Sequence, residues 1–357
     1  MPNVEAKSGV APRFADIAEP RPNRDGLTDA YRAIDARLDR GEREAAVAAW
    51  EHLRRTYGTW SSLVHLRFAQ DTADAQAKAD RDYADALAPE ATDLENALKR
   101  RLLADPDQPG LGTLVGTHAL RLWESDVTTF DPAIKPDLEE EARLSARYTE
   151  LLASAQLDID GKTVNLAGLG PYAENPDRAV RYQAARVGWA FFESHAAELD
   201  EIYDKLVALR HGMARKLGYE TFTPLGYRLL RRVDYGPQDV TRYRQQVLHH
   251  VVPLIGRLLE KRRAANGWDK VRFWDESLID PAGNPKPIGD HDALVSAAQA
   301  MFDGMDGRLA EFYRLMIDGG FTDLKNRPGK AGGGFCTSFP SVGVPFIFAN
   351  FNGTHHD

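Results

Sequence analysis

A mainly helical, multi-helix protein with a small antiparallel β-hairpin near its C-terminus is the fold class this sequence predicts. Three observations predict it. Leu199, Ile202, Leu206, Leu209, Met213 and Leu217 recur three or four residues apart. Residues 61–103 are rich in Ala, Asp, Lys and Leu with few Gly or Pro. Only after Gly329 do aromatic and β-branched residues gather around a turn that holds Pro340, Gly343 and Pro345.

In chain order, residues 1–26 carry many Pro and charged positions and read as a disordered arm, without the apolar run of a signal peptide. Residues 27–40 and 42–57 read as two short helices in a hairpin, with Gly41 suited to the C-terminus of the first. The stretch 61–103 reads as a long, partly solvated helix interrupted near Pro89, and 105–116 as a loop. A helix over 136–157 leads into Asp158-Ile159-Asp160-Gly161-Lys162, a turn that opens a small hairpin. Domain boundaries follow: a helical N-terminal domain over 27–170 and a second unit over 171–357. The second unit starts with a helix that has Asn175 as N-cap and Pro176 at its first position, and that runs to Leu217 before Gly218. Its apolar stripe reads as core. Residues 241–265 and 292–317 read as further helices, joined by a loop with Pro281, Gly283, Pro285 and Pro287. The segments 332–339 and 346–352 then form the hairpin, the one substantial sheet, to which a strand near 159–164 is expected to add.

The net charge of −8, from 45 Lys and Arg against 53 Asp and Glu, argues against a general attraction to nucleic acid or anionic membrane. Cys336 is the single cysteine, so no intrachain disulfide forms, which fits a reducing compartment and a cytoplasmic location. No run approaches the roughly 18 apolar residues of a membrane-spanning helix.

Motifs that carry chemistry are mostly missing. His249-His250 and His355-His356 are adjacent pairs, and no H-E-x-x-H occurs. Gly161-Lys162-Thr163 resembles the end of a phosphate loop, but Gln156 stands where that loop needs Gly, so a surface turn is the better reading. Gly110-x-Gly112 before Gly116 reads as a flexible loop, and no G-x-S-x-G is present. Cys336 reads as a small buried strand hydrophobe without a base beside it, and His195 with Glu198 as a solvated pair.

The order Asp-Leu-Lys-Asn-Arg-Pro-Gly-Lys-Ala-Gly-Gly-Gly-Phe-Cys-Thr over 323–337 and Pro-Phe-Ile-Phe-Ala-Asn-Phe-Asn-Gly-Thr over 345–354 resembles oligoendopeptidase F and its thimet-type relatives. Upstream, 206–219, Val233-Asp234-Tyr235, 251–254 and 273–275 resemble the same family. The resemblance implies a zincin-type oligopeptidase architecture, with 171–357 as the first, incomplete part of the catalytic domain. It further implies a zinc-dependent enzyme that hydrolyses short peptides, its metal held by an H-E-x-x-H helix just after the Phe-Asn-Gly-Thr strand and by a Glu on a following helix. This chain stops at Asp357, before such a motif, so it is expected to lack catalytic and metal groups, to be inactive alone, and to pair with a missing C-terminal half. For substrate binding the resemblance implies the strand Phe348, Ala349, Asn350, Phe351, Asn352 and Gly353, as an edge that pairs with an extended peptide, with Gly333 and Gly334 allowing close approach. His355 and His356 are expected near substrate or zinc in an intact protein. Phe346, Phe348 and Phe351 are expected to face solvent, beside an open groove lined by helices around Leu206 and Leu254. The alternative reading is a non-catalytic helical module that binds peptides.

Overall fold

The computed structural model describes residues 12–354. Helix α1 (Arg24–Asp39) opens on Asn23, whose side chain accepts from the Gly26 N–H, and is followed by Gly41 at a φ of 75°, a conformation glycine adopts without strain. Helix α2 (Arg43–Gln70) runs well past residue 57, and α3 (Ala75–Leu103) starts after a four-residue turn. The expected interruption therefore falls at 71–74 and not at Pro89, which lies inside α3. The reason is local: Asp71 accepts from the Ala73 N–H and Asp74 from the Ala77 N–H, which satisfies the donors of a new helix start. Pro89 removes a single donor from a helix that packing against α1, α2 and α6 (Lys135–Ala153) holds in place.

Residues 105–116 are not a loop either. Asp107 caps α4 (Gln108–Val115), fully buried Leu111 anchors it, and α5 (Thr117–Asp126) follows Gly116. After α6, β1 (Leu157–Ile159) and β2 (Lys162–Val164) pair antiparallel around Asp160 and Gly161, whose φ values of 51° and 71° suit a two-residue hairpin turn. This hairpin is a sheet of its own.

The helix expected over 175–217 is two elements, α8 (Arg178–Ser194) and α9 (Ala196–Lys216), with the short α7 (Gly170–Ala173) before them. Asp177, two residues beyond Asn175, supplies the cap by accepting from the Ala179 N–H, and the break falls at His195. Of the apolar stripe only Ile202 and Met213 are buried. Helix α10 (Phe222–Leu229) leads to α11 (Pro237–Gln246), a π-turn at Val247–Val251 and α12 (Val252–Ala265), which together form one stretch. Helices α13 (His291–Met305) and α14 (Gly307–Asp318) divide at Asp306, which caps the second by accepting from the Arg308 N–H.

The chain then builds a three-stranded sheet from β3 (Thr322–Lys325), β4 (Phe335–Phe339) and β5 (Val344–Phe351), in the order β3-β5-β4. β3 runs parallel to β5, and β4 antiparallel to it. The third strand is thus β3, not the hairpin at 157–164. One face of the sheet packs on α2: Phe321, Phe339, Phe346 and Phe348 share a core with Leu63, Leu66 and Met316.

That core overturns two expectations. Phe346 and Phe348 are each 1% exposed, because α2 covers the face they occupy; Phe351 is half-buried. The described part of the N-terminal arm is also packed. Phe14 sits 4.9 Å from the Phe346 ring, Ile17 is buried in the same core, and Tyr83 donates to the Pro22 carbonyl. Apolar burial of Phe14 and Ile17 and the Phe14 N–H bond to the Gly319 carbonyl at 2.7 Å hold this segment against the sheet. Residues 1–11 lie outside the described residues.

Candidate functional site

A Gly-rich loop over 326–334 leaves β3, wraps the C-terminal end of α2 and enters β4. Backbone bonds tie it down: the Ala331 N–H donates to the Ala69 carbonyl at 2.8 Å, and the Thr72 N–H to the Gly329 carbonyl at 2.8 Å. Gly329 and Gly333 hold φ values of 77° and 79°, and a Cβ on Gly334 would stand 3.2 Å from the Phe348 carbonyl oxygen. These glycines let the loop lie directly against β5.

Beneath the loop lies a buried ionic cluster. The Lys330 side chain has no exposure, and its ammonium donates to the Asp323 carboxylate at 2.8 Å, to the Asp323 and Lys325 carbonyls, and to the Ala349 carbonyl. It also stands 4.4 Å over the Phe348 ring. Arg327 grips Asp323 through two bonds of 2.7 and 2.8 Å and reaches the Gln70 carbonyl, while the Gln70 amide donates to Asp323. Burial alone would raise the Asp323 pKa, but the hydrogen bonds from Arg327, Lys330 and Gln70 outweigh it and hold that carboxyl down at about 2. Burial pushes Lys330 the other way, below the usual ammonium value. These four acceptors occupy all three hydrogens of the ammonium, so this lysine holds β3, β5 and the loop together.

The predicted binding residues separate on this frame. Gly333, Gly334, Ala349 and Asn350 do come together: the Asn350 amide donates to the Ala331 and Gly333 carbonyls at 2.9 and 2.7 Å. Asn352 donates to the Ala167 carbonyl, its amide so close to Gly170 that a Cβ there would stand 2.5 Å away. Phe351 lies 6.0 Å from the His291 ring. His355 and His356 lie outside the described residues. Phe348 points its ring into the core, and its strand is no edge. β5 pairs with β3 through Thr322↔Ile347 and Asp323↔Phe348, and with β4 from Phe335↔Phe348 to Phe339↔Val344. Of the residues expected to receive a peptide, Phe348 is thus paired on both sides and Phe351 on the β3 side, through Lys325. The free edge on the hairpin side belongs to β4, which carries Phe335, Thr337 bonded to Ser62 of α2, and Cys336, exposed and not buried as expected because it lies on the sheet face away from the core. The short run Thr322–Lys325 gave no strand signal, and its pairing decides which strand is central.

Two family descriptions match the sequence: the peptidase M3 N-terminal domain over residues 14–130 and peptidase family M3 over residues 171–279. The fold is similar to PZ peptidase A with inhibitor 2, at 34% identity and a TM-score of 0.94, over 96% of this chain and 62% of that one. The chain belongs to peptidase family M3. Further structures similar to this M3 chain include one described as an oligoendopeptidase F from Bacillus anthracis str. Ames, with 33% identity, a TM-score of 0.94, and coverage of 98% of this chain and 65% of that one. Another, a 3.1 Å X-ray structure described as oligoendopeptidase F, gives 36% identity and a TM-score of 0.94 over 97% and 62%. The M3 chain thus spans less than two thirds of the length of these proteins. No curated protein matches it. The sheet and the Gly-rich loop lie beyond residue 279, where the second family match ends, but within the share of the chain that the structural likeness covers.

Among the described residues no group of three or more His, Cys, Asp or Glu is placed to hold a metal ion. His195 and Glu198 do not pair: the His195 ring bonds the Phe191 carbonyl at 2.8 Å, and Glu198 takes Arg147. A second buried ionic cluster fixes the loop after α12. Asp275, fully buried, accepts from Arg178 and from Arg181 at 2.8 Å and from the Arg272 N–H at 2.9 Å. It anchors Phe273 and Trp274 beside α8, where they and Trp189 border a cleft of about 320 Å³. No described helix is long and apolar enough to cross a membrane.

Proposed function

We propose that this chain is the peptide-holding part of a zinc-dependent oligoendopeptidase, and that it seats short peptides in extended form along the free edge of β4. The observation that carries the reading is that free edge, in a chain whose family is a peptidase family. Strand addition supplies main-chain hydrogen bonds that do not depend on sequence, which suits an enzyme that takes varied short peptides. The buried Lys330 cluster keeps the edge rigid, so a peptide has less ordering cost to meet on binding. Bound zinc would supply an activated water and polarise the scissile carbonyl. No H-E-x-x-H occurs in residues 1–357, so the reading gives this chain binding and orientation only, and leaves it inactive alone. Its single cysteine suits the cytoplasmic location we assign to it.

Metal analysis and a quenched-fluorescent peptide assay on the purified chain test this. The expected result is no stoichiometric zinc and no turnover; one zinc per chain with chelator-sensitive turnover would overturn it. A non-catalytic binding module is the second reading, favoured by the same missing motif. Turnover gained on co-expression with the C-terminal segment of an M3 relative separates the two.

A further inference from the structure

We infer that Phe335 selects the bound peptide, favouring a large apolar side chain at the position that lies across from it. This rests on the β4 reading above and names the substrate class that reading leaves open.

The register puts Phe335, Thr337 and Phe339 on the same face of the sheet as Phe348, Phe346 and Val344. That face is covered unevenly. Phe339 is fully buried, and Thr337 is half-covered and bonds Ser62 of α2 at 3.3 Å. Phe335, at the Gly-rich end, is 41% exposed. Helix α2 therefore closes the face near Phe339 and leaves it open near Phe335.

The exposed ring is also held still. It stacks on Phe348 with centroids 4.6 Å apart and planes within 15°, and Phe348 is itself fixed under the Lys330 ammonium. Gly334 and Gly333, directly before it, carry no side chain that would shield the ring. An aromatic surface that is exposed yet immobile costs little entropy to use in binding.

A strand added to the outside of β4 places its directly opposed residue with Cβ atoms about 4.5–5.5 Å apart. On this face the residue opposite Phe335 meets the ring, and the residue two positions along meets Thr337, which bonds Ser62 of α2. On the other face the peptide meets the short side chains of Cys336 and Ser338, which discriminate little. The geometry therefore reads one position strongly: aromatic or large aliphatic opposite Phe335.

Fluorescein-labelled octapeptides of Ala and Gln that carry one Phe, or Ser in its place, test this on the full chain by fluorescence anisotropy. The wild type should bind the Phe peptide at least about fivefold more tightly than the Ser peptide. Phe335→Ala should bring that ratio close to one, and Phe335→Tyr should restore it. An unchanged ratio in a Phe335→Ala protein that melts like the wild type overturns the inference and leaves strand addition standing. If the wild type binds neither peptide, the β4 reading falls and this inference with it. A peptide with benzoylphenylalanine at the Phe position gives a check that needs no variant: cross-links should map to Phe335 and its neighbours, and cross-links to the cleft of Trp189 and Phe273 would overturn the assignment.

Discussion

In the three-stranded sheet, Phe339, Phe346 and Phe348 lie in a core that draws on the N-terminal arm, α2 and α14. In the stretch 237–265, Leu248, Val252, Leu254, Ile255 and Leu258 are all large, apolar and exposed, and no residue is buried. Both regions are rich in residues that elsewhere drive folding. They differ in how many distant segments converge on them: the sheet brings together residues 14–17, 63–69 and 316–348, whereas 237–265 is organised almost entirely by its own local hydrogen bonds. A helical period ensures that a helix can form, but burial needs a second surface, and only the sheet is given one here.

Paired truncations should expose this difference most strongly. Phe346→Ala should cost about 3–5 kcal/mol in chemical denaturation, through lost transfer energy and the cavity left behind. Leu254→Ala should cost less than about 1 kcal/mol, since it removes no buried contact. Similar losses at both sites would mean that the 237–265 face is covered in solution.

Acid should sharpen the comparison more modestly, because the sheet rests on Asp323. Its folded pKa, about 2, is depressed below the unfolded carboxylate value, so its contribution is complete above roughly pH 4 and is lost as pH falls towards 2. After allowance for partial solvent screening this amounts to about 1–2 kcal/mol. Asp323→Asn should flatten that part of the stability–pH curve, and a variant that keeps the wild-type acid dependence would contradict the role given to this carboxyl.

Much of this architecture was legible because the signals are local. Gly218 and the three-to-four spacing announced a helix, though its cap is Asp177 and not Asn175, and Asp160-Gly161 announced a turn whose two positive φ values the structure adopts. The resemblance over 323–337 and 345–354 pointed to the family before any contact was known. What the sequence concealed was long-range. Asp71 and Asp74 look like ordinary helix-surface residues until their carboxylates cap a turn. Phe14 looks like part of a polar arm until the sheet, more than 300 positions later, offers it a cavity. Lys330 reads as a solvated loop lysine, because its acceptors come from Asp323, Lys325 and Ala349. Likewise the sequence does not reveal that the strand ending at Phe351 lies between two others, since whether a strand is central or marginal depends on a third strand, here the unremarkable run Thr-Asp-Leu-Lys.

Hydrogen exchange of the chain with and without a saturating short peptide tests the central claim most directly. Strand addition predicts that amides of Phe335–Phe339 gain protection, while those of Val344–Phe351, in the central strand and paired on both sides at Ile347 and Phe348, change little. Protection gained on Val344–Phe351 or around Trp189 and Phe273, with β4 unchanged, would contradict it.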